Sequence, residues 1–270
     1  APALAAGNTA VIKPAEQTPI SVLELVKIFQ EAGVPDGVIN VVPGFGPTAG
    51  AALASHPQVA KIAFTGETTT GKLVMQMASN NLTQCSLELG GKSPNIVFDD
   101  ADLENAVNGS LFGIYFAQGQ VCAAGSRLFV QEGIYNTFMN RFYDKASKIK
   151  VGDPLDPTTQ MGPQISEEQL ERIERYVEIG KEEGASLVLG GKRPEHVNGG
   201  YFYTPTIFEG VTNGMTIARE EIFGPVISVI RFKDEDEVIK LANETIYGLA
   251  SGLWTTNLRR AHTVARRLKA

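Results

Sequence analysis

Four short apolar runs rich in β-branched residues, Thr9 to Ile12, Val38 to Val42, Lys61 to Phe64 and Gln84 to Leu89, alternate with segments patterned as helices. A strand followed by a helix and a further strand needs a crossover connection, and crossovers of this kind join parallel strands. Residues up to about Gly90 are therefore expected to form one parallel sheet with covering helices. Between the first two runs Ile20, Leu23, Val26 and Ile28 fall at mostly helical spacing, and Gly33 with Pro35 stops that helix at Ala32. A second, shorter helix is expected over Thr48 to Ala54.

The alternation resumes after the turn Glu88-Leu89-Gly90-Gly91-Lys92-Ser93-Pro94. Strands are expected at Asn95 to Phe98, Arg127 to Gln131, Leu187 to Leu189 and Val226 to Phe232. Helices fall between them, around Asp102 to Phe116, Ile134 to Lys148 and Glu167 to Glu183. The turn divides the chain into domains 1–90 and 91–270. Residue 1 enters a helix tail, and the chain stops at residue 270 within a basic amphipathic helix that carries Arg259, Arg260, Arg266, Arg267 and Lys269, so both ends are expected to be incomplete.

Composition limits the function classes. A chain of 270 residues that is 43% hydrophobic and 20% charged is a globular protein with a sizeable core. A net charge of -6 argues against a nucleic-acid partner, because neutralising phosphates needs a basic face. No stretch is long and apolar enough to suggest a membrane partner, and the first residues lack the basic start of a leader. Two cysteines, Cys85 and Cys122, suit a reducing, cytoplasmic setting. His56, His196 and His262 stand apart from one another and the cysteines lack zinc spacing, so no metal is expected.

Cys122 is the first candidate for chemistry. It sits in Gln118-Gly119-Gln120-Val121-Cys122-Ala123-Ala124-Gly125-Ser126, where small neighbours leave sulfur and backbone N–H groups accessible. An ordinary thiol is only about a few per cent thiolate at neutral pH, so a nucleophilic cysteine needs help from its site. A buried structural cysteine is the competing reading. Cys85 lies in a strand pattern with no glycine beside it and reads as packing. Glu88 ends that strand just before Gly90-Gly91, at the edge where open α/β sheets bind ligands, although a solvated strand-end carboxylate would look the same.

Two glycine loops compete for cofactor phosphates. Gly44-Phe45-Gly46-Pro47-Thr48-Ala49-Gly50 follows a strand and approximates a dinucleotide fingerprint without its final spacing. Gly66-Glu67-Thr68-Thr69-Thr70-Gly71-Lys72 opens a helix whose first N–H groups could face an anion, but it lacks the Ser or Thr of a nucleoside-triphosphate loop. Lys13 and Glu16 leave the first strand together, as a surface ion pair or as a cation and carboxylate for a nucleotide ribose.

Taken together, these motifs resemble the aldehyde dehydrogenase superfamily from the first residue to the last. Glu88-Leu89-Gly90-Gly91-Lys92-Ser93-Pro94 is similar to its glutamate signature. Phe116-Ala117-Gln118-Gly119-Gln120-Val121-Cys122-Ala123-Ala124-Gly125-Ser126-Arg127 is similar to its cysteine signature, and Cys122 follows Glu88 by 34 residues, as the resemblance requires. Glu221-Ile222-Phe223-Gly224-Pro225-Val226 resembles a third hallmark. The implied fold is α/β, a partial Rossmann-type cofactor domain followed by an α/β catalytic domain with mostly parallel sheets.

The resemblance also implies roles. Cys122 is the nucleophile and Glu88 the base that activates water against a thioester. NAD is the cofactor, with Lys13 and Glu16 on the adenosine ribose, Gly46 admitting the adenine, and Gly66, Glu67 and Gly71 in the loop beside the pyrophosphate. Leu89 belongs with the cofactor residues, Glu221 holds the nicotinamide ribose, and Phe223 packs nearby. A carboxylate at Glu16 repels a 2'-phosphate and favours NAD over NADP. The partner is a small-molecule aldehyde, and the full-length form is a dimer or tetramer of identical chains. The family's oxyanion-hole asparagine would precede residue 1, and a subunit-joining strand and pocket loop would follow residue 270. Losing such a donor costs about a hundred- to a thousand-fold in rate, so a non-catalytic piece is one alternative. A CoA-acylating relative is another, disfavoured by Glu88, and a cysteine hydrolase would want a histidine partner that no position supplies.

Overall fold

The structure is a computed structural model that describes residues 1–197 and 199–270. It separates into two compact units, Ala1–Leu89 and Gly90–Ala270.

In chain order the first unit contains helix α1 (Pro2–Ala5), strand β1 (Ala10–Ile12), helix α2 (Ile20–Glu31), strand β2 (Ile39–Val41) and, after a π-type turn over Gly46–Gly50, helix α3 (Ala51–Ala54). Strand β3 (Lys61–Thr65), helix α4 (Thr68–Ser79) and strand β4 (Gln84–Glu88) complete it. The expected single sheet is corrected here: β1 pairs in parallel with β2, β3 pairs in parallel with β4, and these are two separate two-stranded sheets. Apolar alternation marks a strand but not its neighbour, and three-residue strands such as β1 and β2 carry too few side chains to fix a wider pairing. Only Ala54, Gly71 and Ala78 are buried in this unit. Ile20, Phe45 and Leu82 are 72%, 70% and 90% exposed, so its helices and loops carry apolar side chains that nothing in the chain covers.

The second unit is built on a six-stranded sheet. Its elements are strand β5 (Pro94–Val97), helix α5 (Leu103–Tyr115), strand β6 (Arg127–Gln131), helices α6 (Tyr135–Ala146) and α7 (Glu167–Glu182), and strands β7 (Ser186–Leu189) and β8 (Thr206–Glu209). Helix α8 (Thr216–Arg219), strand β9 (Val226–Phe232), helix α9 (Glu235–Asn243), strand β10 (Gly252–Trp254) and helix α10 (Leu258–Arg267) follow. The strand order is β10-β5-β6-β9-β8-β7, parallel throughout except for the antiparallel edge pair β7 and β8.

Both faces of this sheet are covered, which is why its strands read as continuous apolar runs. On β6, Leu128 and Val130 join a cluster with Val107, Phe138 and Phe142 from α5 and α6, while Phe129 faces the other way onto Leu170, Ile173 and Val177 of α7. On β9, Ile227 and Val229 enter the first cluster and Val226, Ile230 and Phe232 the second. This is the period-two alternation of a strand buried on both sides. Side chains of Asp102, Ser166, Asp234 and Asn257 accept from the backbone N–H three residues on and so start α5, α7, α9 and α10.

Three short elements, β8, α8 and β10, and the longer α9 have no counterpart among the expected elements. The basic C-terminal helix ends at Arg267, with the Leu268 N–H on the Val264 carbonyl, and residue 270 lies outside it. Among the described residues no helix is long and apolar enough to cross a membrane.

Candidate active site

The cysteine loop begins where α5 stops. A turn over Phe116–Gly119 holds Ala117 at φ 48°, Gln118 at φ 59° and Gly119 at φ 75°, all left-handed. For a residue with a Cβ this conformation costs roughly 1–2 kcal/mol, so two in succession persist only where the surroundings hold them. The Gln120 side chain accepts from the Ile165 amide at 3.1 Å. The Gln118 amide, oriented to satisfy both neighbours, accepts from the Gly162 N–H and donates to the Ala117 carbonyl. The Gly125 N–H returns to the Gly113 carbonyl of α5. The chain is thereby reversed, and Cys122 lies half-buried with its thiol unbridged. The amides of Ala124, Gly125 and Ser126 are committed to carbonyls of Val121, Gly113 and Ala124, whereas no acceptor among the described residues takes the Cys122 amide.

The turn Gly90-Gly91 meets this loop. A Cβ at Gly91 would lie 2.4 Å from the Cys122 carbonyl oxygen, and one at Gly90 would lie 2.0 Å from Oε2 of Glu221. The Gly91 N–H donates to Oε1 of Glu221 at 3.1 Å. Only two glycines allow the turn to fit between the cysteine backbone and this carboxylate. Phe223 follows at φ 61° and is 37% exposed. Its loop is held from α7, where Gln169 Nε2 donates to the Ile222 and Phe223 carbonyls and Arg172 Nη2 donates to the Glu221 carbonyl. A small cavity lined by Gly91, Gly119, Val121, Glu221, Phe223 and Gly224 opens between the two loops.

Two buried cations support the turn, and sequence reasoning did not single them out. Lys92 is 1% exposed with no hydrogen-bond partner for its ammonium. Burial, and then the charge of Arg127, push its pKa down to about 7 against the opposing pull of Glu221 and Glu220. Arg127 is fully buried and donates to the carbonyls of Lys92, Leu241 and Ala242. Each stands inside a signature whose other residues drew attention first, and nothing in their spacing announces burial.

Within the first unit, Lys13, Glu16 and Gly46 come together. Oε1 of Glu16 accepts from Lys13 Nζ at 2.9 Å and from the Gly46 N–H at 2.7 Å. The Lys13 hydrogen bond, chiefly, holds the Glu16 carboxyl below its ordinary value. Gly71 is buried where a Cβ would lie 2.5 Å from a Leu89 methyl, so it lets α4 settle onto the end of β4. Gly66 packs against the ring of Phe64. Glu67 caps α4, accepting from the amides of Thr69 and Thr70, so these two N–H groups are not open to an anion as the sequence suggested. Glu88 ends β4 with its side chain exposed, and Cys85, half-buried on the same strand, places its sulfur 3.7 Å from the Thr83 carbonyl. No group of three or more His, Cys, Asp or Glu side chains suited to a metal occurs among the described residues.

Comparison with known proteins gives these residues a setting. The profile of the Aldehyde dehydrogenase family matches residues 1–270. An aldehyde dehydrogenase of Emericella nidulans is 54% identical over 270 residues, covering 100% of this chain and 54% of that protein. A betaine aldehyde dehydrogenase of Mesorhizobium japonicum is 52% identical over 272 residues, 100% of this chain and 56% of that protein. The chain thus spans about half the length of the curated relatives it matches. Among solved structures, a betaine aldehyde dehydrogenase from Staphylococcus aureus in complex with NAD+ superposes with a TM-score of 0.97 at 45% identity, covering 100% of this chain and 54% of that one. The NAD+ complex of an aldehyde dehydrogenase from Bacillus cereus does so with 0.97 at 51% identity, over 99% and 54%. The α/β architecture with mostly parallel strands is theirs as well, and this chain belongs to the aldehyde dehydrogenase family.

Proposed function

We propose that this chain carries the catalytic core of an enzyme that oxidises a small aldehyde to a carboxylic acid with NAD, using Cys122 as nucleophile and Glu88 as base. The observation that carries the reading is the cysteine loop. A strained turn presents an unbridged thiol beside an uncommitted amide, and the Gly90-Gly91 turn links that loop to the Glu221 carboxylate. Membership of the family, and relatives solved with NAD+, support the cofactor.

The residues suit a dinucleotide. Oε1 of Glu16 accepts from Lys13 and from the Gly46 N–H, and the carboxylate has further acceptor capacity for a ribose hydroxyl, with Lys13 as a neighbouring donor. Gly46 keeps that approach clear, and Gly66, Glu67, Gly71 and Leu89 shape the start of α4 for the pyrophosphate region. Glu221, fixed by the Gly91 N–H, offers a second carboxylate for the nicotinamide ribose, with Phe223 beside it.

The Cys122 thiolate adds to the aldehyde carbon, forming a C–S bond and an oxyanion that the Cys122 amide stabilises. Collapse of the oxyanion expels hydride from that carbon, and NAD, when bound, supplies its acceptor. A thioester is left on Cys122. Glu88 takes a proton from water as its oxygen adds to the acyl carbon, the C–S bond breaks, and the acid departs with the thiolate restored. Two unbridged thiols suit a cytoplasmic setting, and we read the longer form as a homo-oligomer.

The reading is tested by incubating the chain with an aliphatic aldehyde and NAD, quenching in acid and mapping peptides by mass spectrometry. An acyl group on Cys122 that accumulates in Glu88→Gln is expected. An unmodified Cys122 in both chains contradicts it.

A further inference from the structure

Arg127, the first residue of β6, is 0% exposed, and no ion pair engages it among the described residues. Taking a guanidinium out of water without a carboxylate is costly, so its hydrogen bonds have to compensate. All go to backbone carbonyls. Nη1 and Nη2 donate to Leu241 and Ala242 at 3.2 Å and 2.8 Å, in the last turn of α9, where the helix dipole favours a cation. Nε donates to the Lys92 carbonyl at 2.9 Å. The planar fork therefore ties the residue after Gly91 to a helix packed in the core.

That tie matters because of what the turn holds. The Gly91 N–H, one residue upstream, donates to Oε1 of Glu221, and the carboxylate occupies the space that a side chain at Gly90 would take. The Lys92 ammonium makes no hydrogen bond of its own, and it acts on Glu221 only through its charge. The Glu221 backbone is held by Arg172 Nη2 and its carboxylate accepts from the Gly91 amide, so where the turn places that amide bears directly on where the carboxylate sits. We infer that Arg127 is a positioning residue for the Glu221 carboxylate, acting through the Gly90-Gly91-Lys92 segment, and so sets the chain's affinity for a nicotinamide dinucleotide without touching it. The inference rests on the reading of Glu221 as a cofactor residue.

A double-mutant cycle on NAD affinity, measured by titration calorimetry without aldehyde, separates this role from mere stability. Arg127→Lys keeps the charge but not the fork. It is expected to weaken NAD binding about 3- to 10-fold, the range of coupling through a packed network. In a Glu221→Ala background the same substitution is expected to cost no further affinity, although it lowers the melting temperature equally in both. Equal losses in the two backgrounds, or no loss in either, overturn the inference. Should Arg127→Lys not fold, Arg127→Gln, which retains one donor for the Lys92 carbonyl, is read against the same criteria. A Glu221→Ala chain that binds NAD as tightly as the parent instead overturns the cofactor reading of Glu221, and this inference with it.

Discussion

A Cβ at Gly119 would lie 2.1 Å from the carbonyl oxygen of Gly224, so the loop that carries Cys122 and the loop that carries Glu221 and Phe223 meet backbone to backbone. Gly119 is also left-handed, at φ 75°. Gly119→Ala is therefore expected to destabilise the chain by about 1–3 kcal/mol in denaturant unfolding, from strain alone. It should also slow acylation of Cys122. Gly113, in α5, has nothing within 4 Å of the corresponding position, so Gly113→Ala is the control and should stabilise by about 0.5–1 kcal/mol.

On the proposed function, cofactor choice turns on Glu16. Its carboxylate is held ionised by Lys13, and bringing a 2'-phosphate to about 4 Å from it costs on the order of 1 kcal/mol per unit charge even in water. Glu16→Gln is expected to narrow the preference for NAD over NADP by roughly ten-fold, read as the ratio of dissociation constants. A ratio that does not move would remove Glu16 from the ribose site.

Lys92 gives the chain a pH dependence of definite sign. Its folded value of about 7 lies below that of an unfolded lysine, about 10.4, because burial disfavours the charged form. Between these values the unfolded chain holds a proton that the folded chain has lost, so stability rises with pH across the window, by at most about 1.4 kcal/mol per pH unit. Lys92→Met should remove that rise between pH 7.5 and 9.5. Parallel profiles for parent and variant would contradict it.

These expectations draw on features the sequence shows to different degrees. The doubly covered strands β6 and β9 were readable because their apolar runs are long and bounded. The pairing of β1 through β4 was not, since the runs are short and the ladder partners are set by contacts far away in sequence. β10 has only Gly252, Leu253 and Trp254 to declare itself, and Pro205 before β8 hides a strand whose ladder starts one residue later. At the candidate site, glycine pairs and a cysteine among small residues drew attention to loops that meet in the structure. Arg127 and Lys92 did not stand out, because their importance lies in burial and in carbonyl partners up to 115 residues away. The capping of α4 by Glu67 was likewise invisible in a motif that reads as an open anion loop.

The central claim is that Cys122 carries the acyl group and Glu88 releases it. Rapid mixing of the chain with an aliphatic aldehyde and NAD, following reduced nicotinamide, tests both halves at once. The account predicts a burst followed by turnover in the parent, no burst in Cys122→Ala, and in Glu88→Gln a burst of the same size with turnover reduced by at least about a hundred-fold. A burst that survives in Cys122→Ala, or full turnover in Glu88→Gln, would contradict it.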